Sequence, residues 1–265
     1  MRRGIPDGTT RRGLLLGAAA LPLLARPAAA AELVVFSSGG LNAAYRLLVP
    51  EFQRTTGHQL TSVGASSMGA APDAIPQRLA RGEPADVLLL AEGGIAPLEA
   101  RGFLRPGSRV DIARSLIGAC VREGAPKPDI ASLDAFRQAL LDARSIAYSA
   151  SASGVYIETE MFRRLGIHDQ VMPKARRILS ERVATVVARG EAELGFQQVS
   201  EIVTVPGISY LGTIPEAVQQ PTVFCAVVTA QARQPEAAAA LIRFLASPAA
   251  AEALRRTGLE PLSPG

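Results

Sequence analysis

The sequence predicts an α/β protein whose strands pair mostly in parallel, and three observations carry that reading. Short apolar runs, such as 33–36 (L-V-V-F) and 85–91 (A-D-V-L-L-L-A), alternate with stretches whose apolar residues recur every three or four positions. Several of these strand ends run directly into serine, glycine or amide residues before the next helical pattern. The 265 residues are 48% hydrophobic and 20% charged, which is enough apolar material for one large domain or two modest ones.

The first 31 residues read as a cleavable export signal. Arg11-Arg12 precede an apolar run from Gly13 to Ala25, and Ala28–Ala31 offers small-residue cleavage sites. The T-R-R-G-L-L-L run has a twin-arginine character, with the general secretory route as the alternative. This segment holds five arginines and one aspartate, a net of +4, which is the whole chain's excess. The remainder carries 23 basic and 23 acidic residues, so the basic balance belongs to the leader and nucleic acid is not an expected partner. The expected compartment is the periplasm.

Each later element has its own local reason. After the strand at 33–36, Leu41, Tyr45, Leu48 and Phe52 share one helical face, and Gly57 ends the helix. Strands are expected at 60–63 and 85–91, and a further apolar strand at 115–121. A helix over 133–141 leads to the short strand 146–148. In the helix that follows, Val155, Phe162 and Leu165 are placed on one face, with Gly166 as its C′ residue. Strands at 176–179, 194–196, 208–211 and 222–229 and two closing helices, 235–246 and 248–256, complete the pattern.

The chemistry is expected in the turns after the strands. Four of them, 37–40, 64–69, 149–154 and 197–200, combine hydroxyls, glycines and amides. In open α/β sheets such turns gather at the carboxyl ends of the strands, where ligands bind. Serine hydroxyls and free N–H groups at helix starts can hold an anion without a full counter-charge. The turns nominate Ser37, Ser38, Gly39, Ser66, Ser67, Ser151, Ser153, Gly154, Gln197 and Gln198. Arg182, just after Ser180 at a helix start, reads either as a solvated arginine or as a bidentate carboxylate clamp. The clamp would favour an organic acid over an inorganic oxyanion.

The motifs V-F-S-S-G-G-L (35–41), G-A-S-S (64–67), R-L-A-R-G-E-P-A-D-V (78–87) and G-E-A-E-L-G-F-Q-Q (190–198) resemble the periplasmic molybdate-binding proteins of ABC transporters. The closing A-L-I-R-F-L-A-S-P-A-A-A-E-A-L-R-R-T-G-L is similar to the same family, so the resemblance spans about 32–260. It implies a type II periplasmic binding fold, two α/β lobes joined by crossing strands near 115–121 and 222–228. Lobe 1 would comprise 32–115 with 226–265, and lobe 2 would comprise 116–225. It also implies that Ser38, Ser66, Ser67 and Ser153 are anion ligands, that Val183 serves through its backbone, and that Gln197 and Gln198 take part. Two departures stand out. Gly40 occupies the place of a serine, and Gln198 falls near a tyrosine that commonly contacts molybdate.

The resulting expectation is a monomeric periplasmic solute-binding protein that delivers a small anion, such as molybdate or tungstate, to an inner-membrane ABC permease. It would carry no cofactor or metal and catalyse no reaction. The alternatives are a receptor for a small organic carboxylate and a binding-protein-like sensory or accessory domain. With two histidines, no H-E-x-x-H and no G-x-S-x-G, a hydrolase finds no support. Cys120 and Cys225 read either as buried thiols or, because both fall on the proposed crossing strands, as close neighbours and a candidate disulfide.

Overall fold

The structure, a computed structural model, describes residue 1 and residues 30–262, so the export leader expected over 1–31 falls almost wholly outside the described residues. The chain begins with β1 (Glu32–Ser38), α1 (Gly39–Thr56), β2 (Gln59–Ala65), α2 (Ile75–Ala80), β3 (Val87–Ala91), α3 (Ile95–Ala100) and β4 (Val110–Ser115). It crosses at Leu116 into β5 (Ile117–Arg122), α4 (Leu133–Asp142), β6 (Ile146–Ser149) and α5 (Ala152–Tyr156). There follow α6 (Phe162–Arg164), α7 (His168–Val171), β7 (Ala175–Ile178), α8 (Val183–Ala188), β8 (Leu194–Gln198), α9 (Val199–Ile202) and β9 (Ile208–Thr213). The chain then returns through β10 (Thr222–Val228), α10 (Pro235–Leu245), α11 (Ala251–Arg256) and β11 (Glu260–Pro261).

These strands form two mixed sheets, β11-β4-β10-β3-β1-β2 and β7-β6-β8-β5-β9, each flanked by helices. Parallel pairing holds where a helix intervenes, in β2-β1-β3 and in β7-β6-β8. The strands next to the crossings pair antiparallel, β10 with β3 and β4, and β5 with β8 and β9. The apolar segment expected as one crossing strand at 115–121 is instead two strands, one in each sheet, broken at Leu116. β10 lies whole in the first sheet.

Period-two alternation builds a core on each face of each sheet. In β3, Val87, Leu89 and Ala91 pack beneath α1, α10 and α11, while Leu88 and Leu90 pack with Ile75, Ile95 and Leu98 on the other face. All five residues of β3 are buried, as a central strand covered on both sides requires. In the second sheet Leu194 and Phe196 face one core, where Phe196 meets Phe136 edge-on at 5.8 Å. Gly195 faces the other core, and a Cβ there would lie 2.6 Å from Val187. Its missing side chain lets α8 lie against the sheet.

Two sequence motifs resolve into local chemistry. Asp86, from R-L-A-R-G-E-P-A-D-V, is buried and accepts N–H bonds from Val34 (2.8 Å) and Arg233 (2.7 Å), tying β1 to the lead-in of α10. The helix after Ser151 departs from the expected register. A π-helical turn, Ile157–Met161, joins α5 to α6 and adds a residue to the turn, so Phe162 and Leu165 are buried while Val155 is 38% exposed. Within that turn Glu158 is paired with Arg177.

The disulfide is ruled out. Cys120 and Cys225 are free thiols in different sheets, Cys120 packed among Val183, Val186 and Val187 and Cys225 among Leu88 and Leu90. Side-chain alternation sends each into its own lobe's core, and burial pushes both thiols up to about 12. Without reductant, the folded protein should therefore resist a thiol reagent at pH 8, and the denatured protein should titrate two thiols per chain. Asp86→Ala should cost about 2–4 kcal/mol in denaturant unfolding, because it strands N–H donors on two elements.

Candidate functional site

The turns that follow β1, β2, β6, β7 and β8 meet in one cleft between the two sheets, a cavity of about 130 Å³. That is smaller than the roughly 300–1,000 Å³ typical of drug-sized pockets and suits a compact ligand. From the first lobe come Ser38, Gly39, Gly40, Ser66, Ser67, Asp73 and Phe224; from the second come Ser149, Ser151, Ser153, Ser180, Glu181, Arg182, Gln197, Gln198 and Glu201.

On the first lobe, β1 delivers Ser38 to the amino end of α1, an 18-residue helix with no acidic residue in its first turn and no side-chain cap. The Ser38 hydroxyl is buried without a partner. Such a helix start presents N–H groups and partial positive charge to the cleft. Gly40, which stands where the resembled family has a serine, has a steric reason. A Cβ there would lie 2.1 Å from the Phe224 ring, which fills the space. Ser67 Oγ accepts the Ala91 N–H at 2.9 Å, and this leaves its own O–H to donate elsewhere.

On the second lobe, Ser149 and Ser153 hydroxyls lie 3.3 Å apart and Ser151 precedes α5 with no cap bond of its own. Gln197 and Gln198 sit at the end of β8, both buried. Gln198 donates to Thr222 at 2.8 Å, and its carbonyl oxygen is buried without a partner, as is one carboxylate oxygen of Asp73. Acceptors left unpaired by the protein are ordinarily satisfied by water or by a protonated neighbour.

Nine of the residues nominated from sequence line the cleft: Ser38, Gly39, Ser66, Ser67, Ser151, Ser153, Arg182, Gln197 and Gln198. Three are placed elsewhere. Ser37 is buried beside the cleft, with its hydroxyl turned to the Ser38 carbonyl at 3.4 Å. Gly154 is a packing residue, since a Cβ there would fall 1.5 Å from the Ser149 carbonyl. The Val183 N–H, expected to meet the ligand, is spent on Gln197 Oε1 at 2.9 Å. That bond instead fixes the Gln197 amide.

Charge in the cleft is sparse. Arg182 precedes α8, donates to Thr204 Oγ1 at 3.2 Å and makes no ion pair among the described residues. Glu181 is engaged with Arg189 at 2.8 and 3.0 Å, and that guanidinium holds its carboxyl below the usual range. Glu201, on α9, reaches from the second lobe to the start of α1, where a Cβ on Gly39 would lie 1.9 Å from its Oε1. Burial raises its carboxyl to about 7, against the opposing pulls of Arg182 and the Gln197 amide. Sequence reading missed Glu201 because its surroundings, V-S-E-I, look like any short helical turn. Its meeting with Gly39, 162 positions earlier in the chain, is the signal, and only the fold supplies it.

Comparison with known proteins places this geometry. The profile of the bacterial extracellular solute-binding proteins matches residues 33–260. The periplasmic molybdate-binding protein of Azotobacter vinelandii superposes with a TM-score of 0.70 at 24% identity, covering 88% of this chain and 100% of that one. The molybdate-binding protein ModA of Rhodobacter capsulatus is 27% identical over 92% of this chain and 96% of its own length. The resemblance to molybdate-binding proteins and the type II periplasmic binding fold are thus borne out. A Pseudomonas sp. protein named aconitate isomerase is 47% identical over 96% of both chains. This relative overturns the expectation of a chain that catalyses no reaction, because its name is that of an enzyme built on the same sequence pattern from end to end. The strand-end turns, the two-sheet fold and the match over 33–260 establish that the chain belongs to the bacterial extracellular solute-binding protein family.

Proposed function

We propose that this protein is an isomerase of aconitate, or of a closely similar unsaturated tricarboxylate, which it binds between its two lobes. The observation that carries the reading is Arg182. Its guanidinium lies in a cleft otherwise walled by serine hydroxyls and amides, and no protein carboxylate pairs with it among the described residues. A planar fork of donors suits a carboxylate, and the serines of the opposite turns suit the remaining ones. Aconitate is a propene bearing three carboxylates, so hydroxyls and N–H groups converging from both lobes can each take one. The relative named aconitate isomerase, 47% identical over 96% of both chains, supports the same choice.

The fold supports a binding step in which the lobes close on the anion and exclude water, as hinge-joined binding proteins do. Closure strengthens each polar contact, because the competing solvent is gone. The family and the leader-like first 31 residues support action in the periplasm. Delivery of the same anion to an inner-membrane permease is a second reading, supported by the molybdate-binding relative.

Turnover separates the two. Pure cis-aconitate incubated with catalytic protein should yield the trans isomer, followed by proton NMR, and the reverse reaction should reach the same mixture. Binding without interconversion, or a thermal shift with molybdate alone, would replace the isomerase reading with the transport one. Arg182→Gln should weaken aconitate binding about 10–100-fold while leaving the fold intact, the loss expected for a hydrogen-bonded charge pair. Ser153→Ala should weaken it several-fold, the loss expected for one neutral donor.

A further inference from the structure

We infer that Glu201 is the acid–base group of this site, taking a proton from the methylene carbon of the bound tricarboxylate and returning it to the far carbon of the allyl system. The inference rests on the isomerase reading and adds to it the residue that performs the step.

The chemistry narrows the candidates first. Interconverting the isomers of aconitate requires the carbon–carbon double bond to lose its double-bond character for a moment. One route adds a nucleophile to the alkene. Among the described residues, however, no thiol, imidazole or amine lines the cleft. Both thiols are buried in the sheets, His58 holds the Ala31 N–H, and His168 pairs with Asp169. The other route moves a proton. Removing one from the CH₂ leaves its electron pair delocalised over three carbons and their carboxylates. Protonation at the opposite carbon makes that carbon the new CH₂ and sets the double bond afresh on the other side. The proton leaves to a carboxylate and comes back from the resulting carboxylic acid, so nothing is oxidised and no other reactant is consumed.

Three cleft residues have carboxyl groups: Asp73, Glu181 and Glu201. Glu181 is tied by two bonds to Arg189. Asp73 sits in the turn before α2 on the first lobe, its backbone carbonyl accepting the Arg78 guanidinium at 3.0 Å and one carboxylate oxygen without a partner. The Glu201 carboxyl reaches across the cleft, from α9 of the second lobe to the amino end of α1 in the first. It therefore lies where lobe closure brings base and substrate together. The groups that face it are Arg182 from the start of α8, the Gln197 amide from β8 and the Gly39 backbone of α1. Its burial holds the proton affinity near neutrality, which suits a group that must both take and give a proton. Arg182 and the α1 amino end then stabilise the charge that spreads onto the substrate carboxylates.

The test pairs turnover with binding. In the wild-type chain kcat/KM should rise with pH and level off above about 7, since the step begins with the carboxylate. Glu201→Gln should still show an aconitate-dependent thermal shift, which certifies its fold, and should lose about 10²–10⁴-fold in kcat. In D₂O the wild type should place deuterium on the carbon chain of recovered aconitate, and the variant should not. A second readout needs no activity. A carboxyl whose affinity rises on folding stabilises the protein below its ordinary range, and that stabilisation is lost as pH climbs toward 7. Glu201→Gln should flatten this slope. If wild type interconverts the isomers and Glu201→Gln does so at a comparable rate, or if Asp73→Asn is inactive while Glu201→Gln is not, the assignment to Glu201 is overturned and the isomerase reading stands. If wild type does not interconvert them, both fall.

Discussion

Two successive residues without side chains, Gly39 and Gly40, set the geometry on which the cleft depends. Any side chain at Gly40 would meet the Phe224 ring, and any at Gly39 would meet the Glu201 carboxyl. The pair lets a strand from one sheet and a helix from the other close onto the same helix start. An apolar ring and a carboxyl are thereby packed against the positive end of an 18-residue helix, at the seam between the lobes.

That packing sets the electrostatics. The cleft presents mostly neutral donors, one guanidinium with no ion pair among the described residues, and three carboxyls, of which Glu201 is raised by burial. A multiply charged anion entering such a site exchanges water for hydroxyls, N–H groups and Arg182. The carboxyl of Glu201, by contrast, would repel the anion if it stayed charged at full solvation. Its raised proton affinity eases that conflict. Function on such a fold is set by the groups in the site and not by the fold itself.

The aconitate isomerase relative and the molybdate-binding relative each align with nearly the whole of this chain. Serine turns at strand ends can seat any small oxyanion. The features that point beyond an inorganic ligand are Arg182 and Glu201.

Read alone, the sequence determined the alternation of strands and helices, the leader-like first segment, the family resemblance and most of the cleft-lining turns. Each of these is written within a few residues: Ser38 before Gly39, Ser66-Ser67 after β2, Ser151 and Ser153 after β6. Tertiary structure alone decided the rest, because it concerns groups far apart in the chain. It showed that Gln197 consumes the Val183 N–H, that Gly154 packs against β6, and that Cys120 and Cys225 point into separate cores. It also brought Glu201 to Gly39 across the cleft. Burial and charge around a carboxyl depend on that long-range meeting, and no local pattern of residue types encodes it.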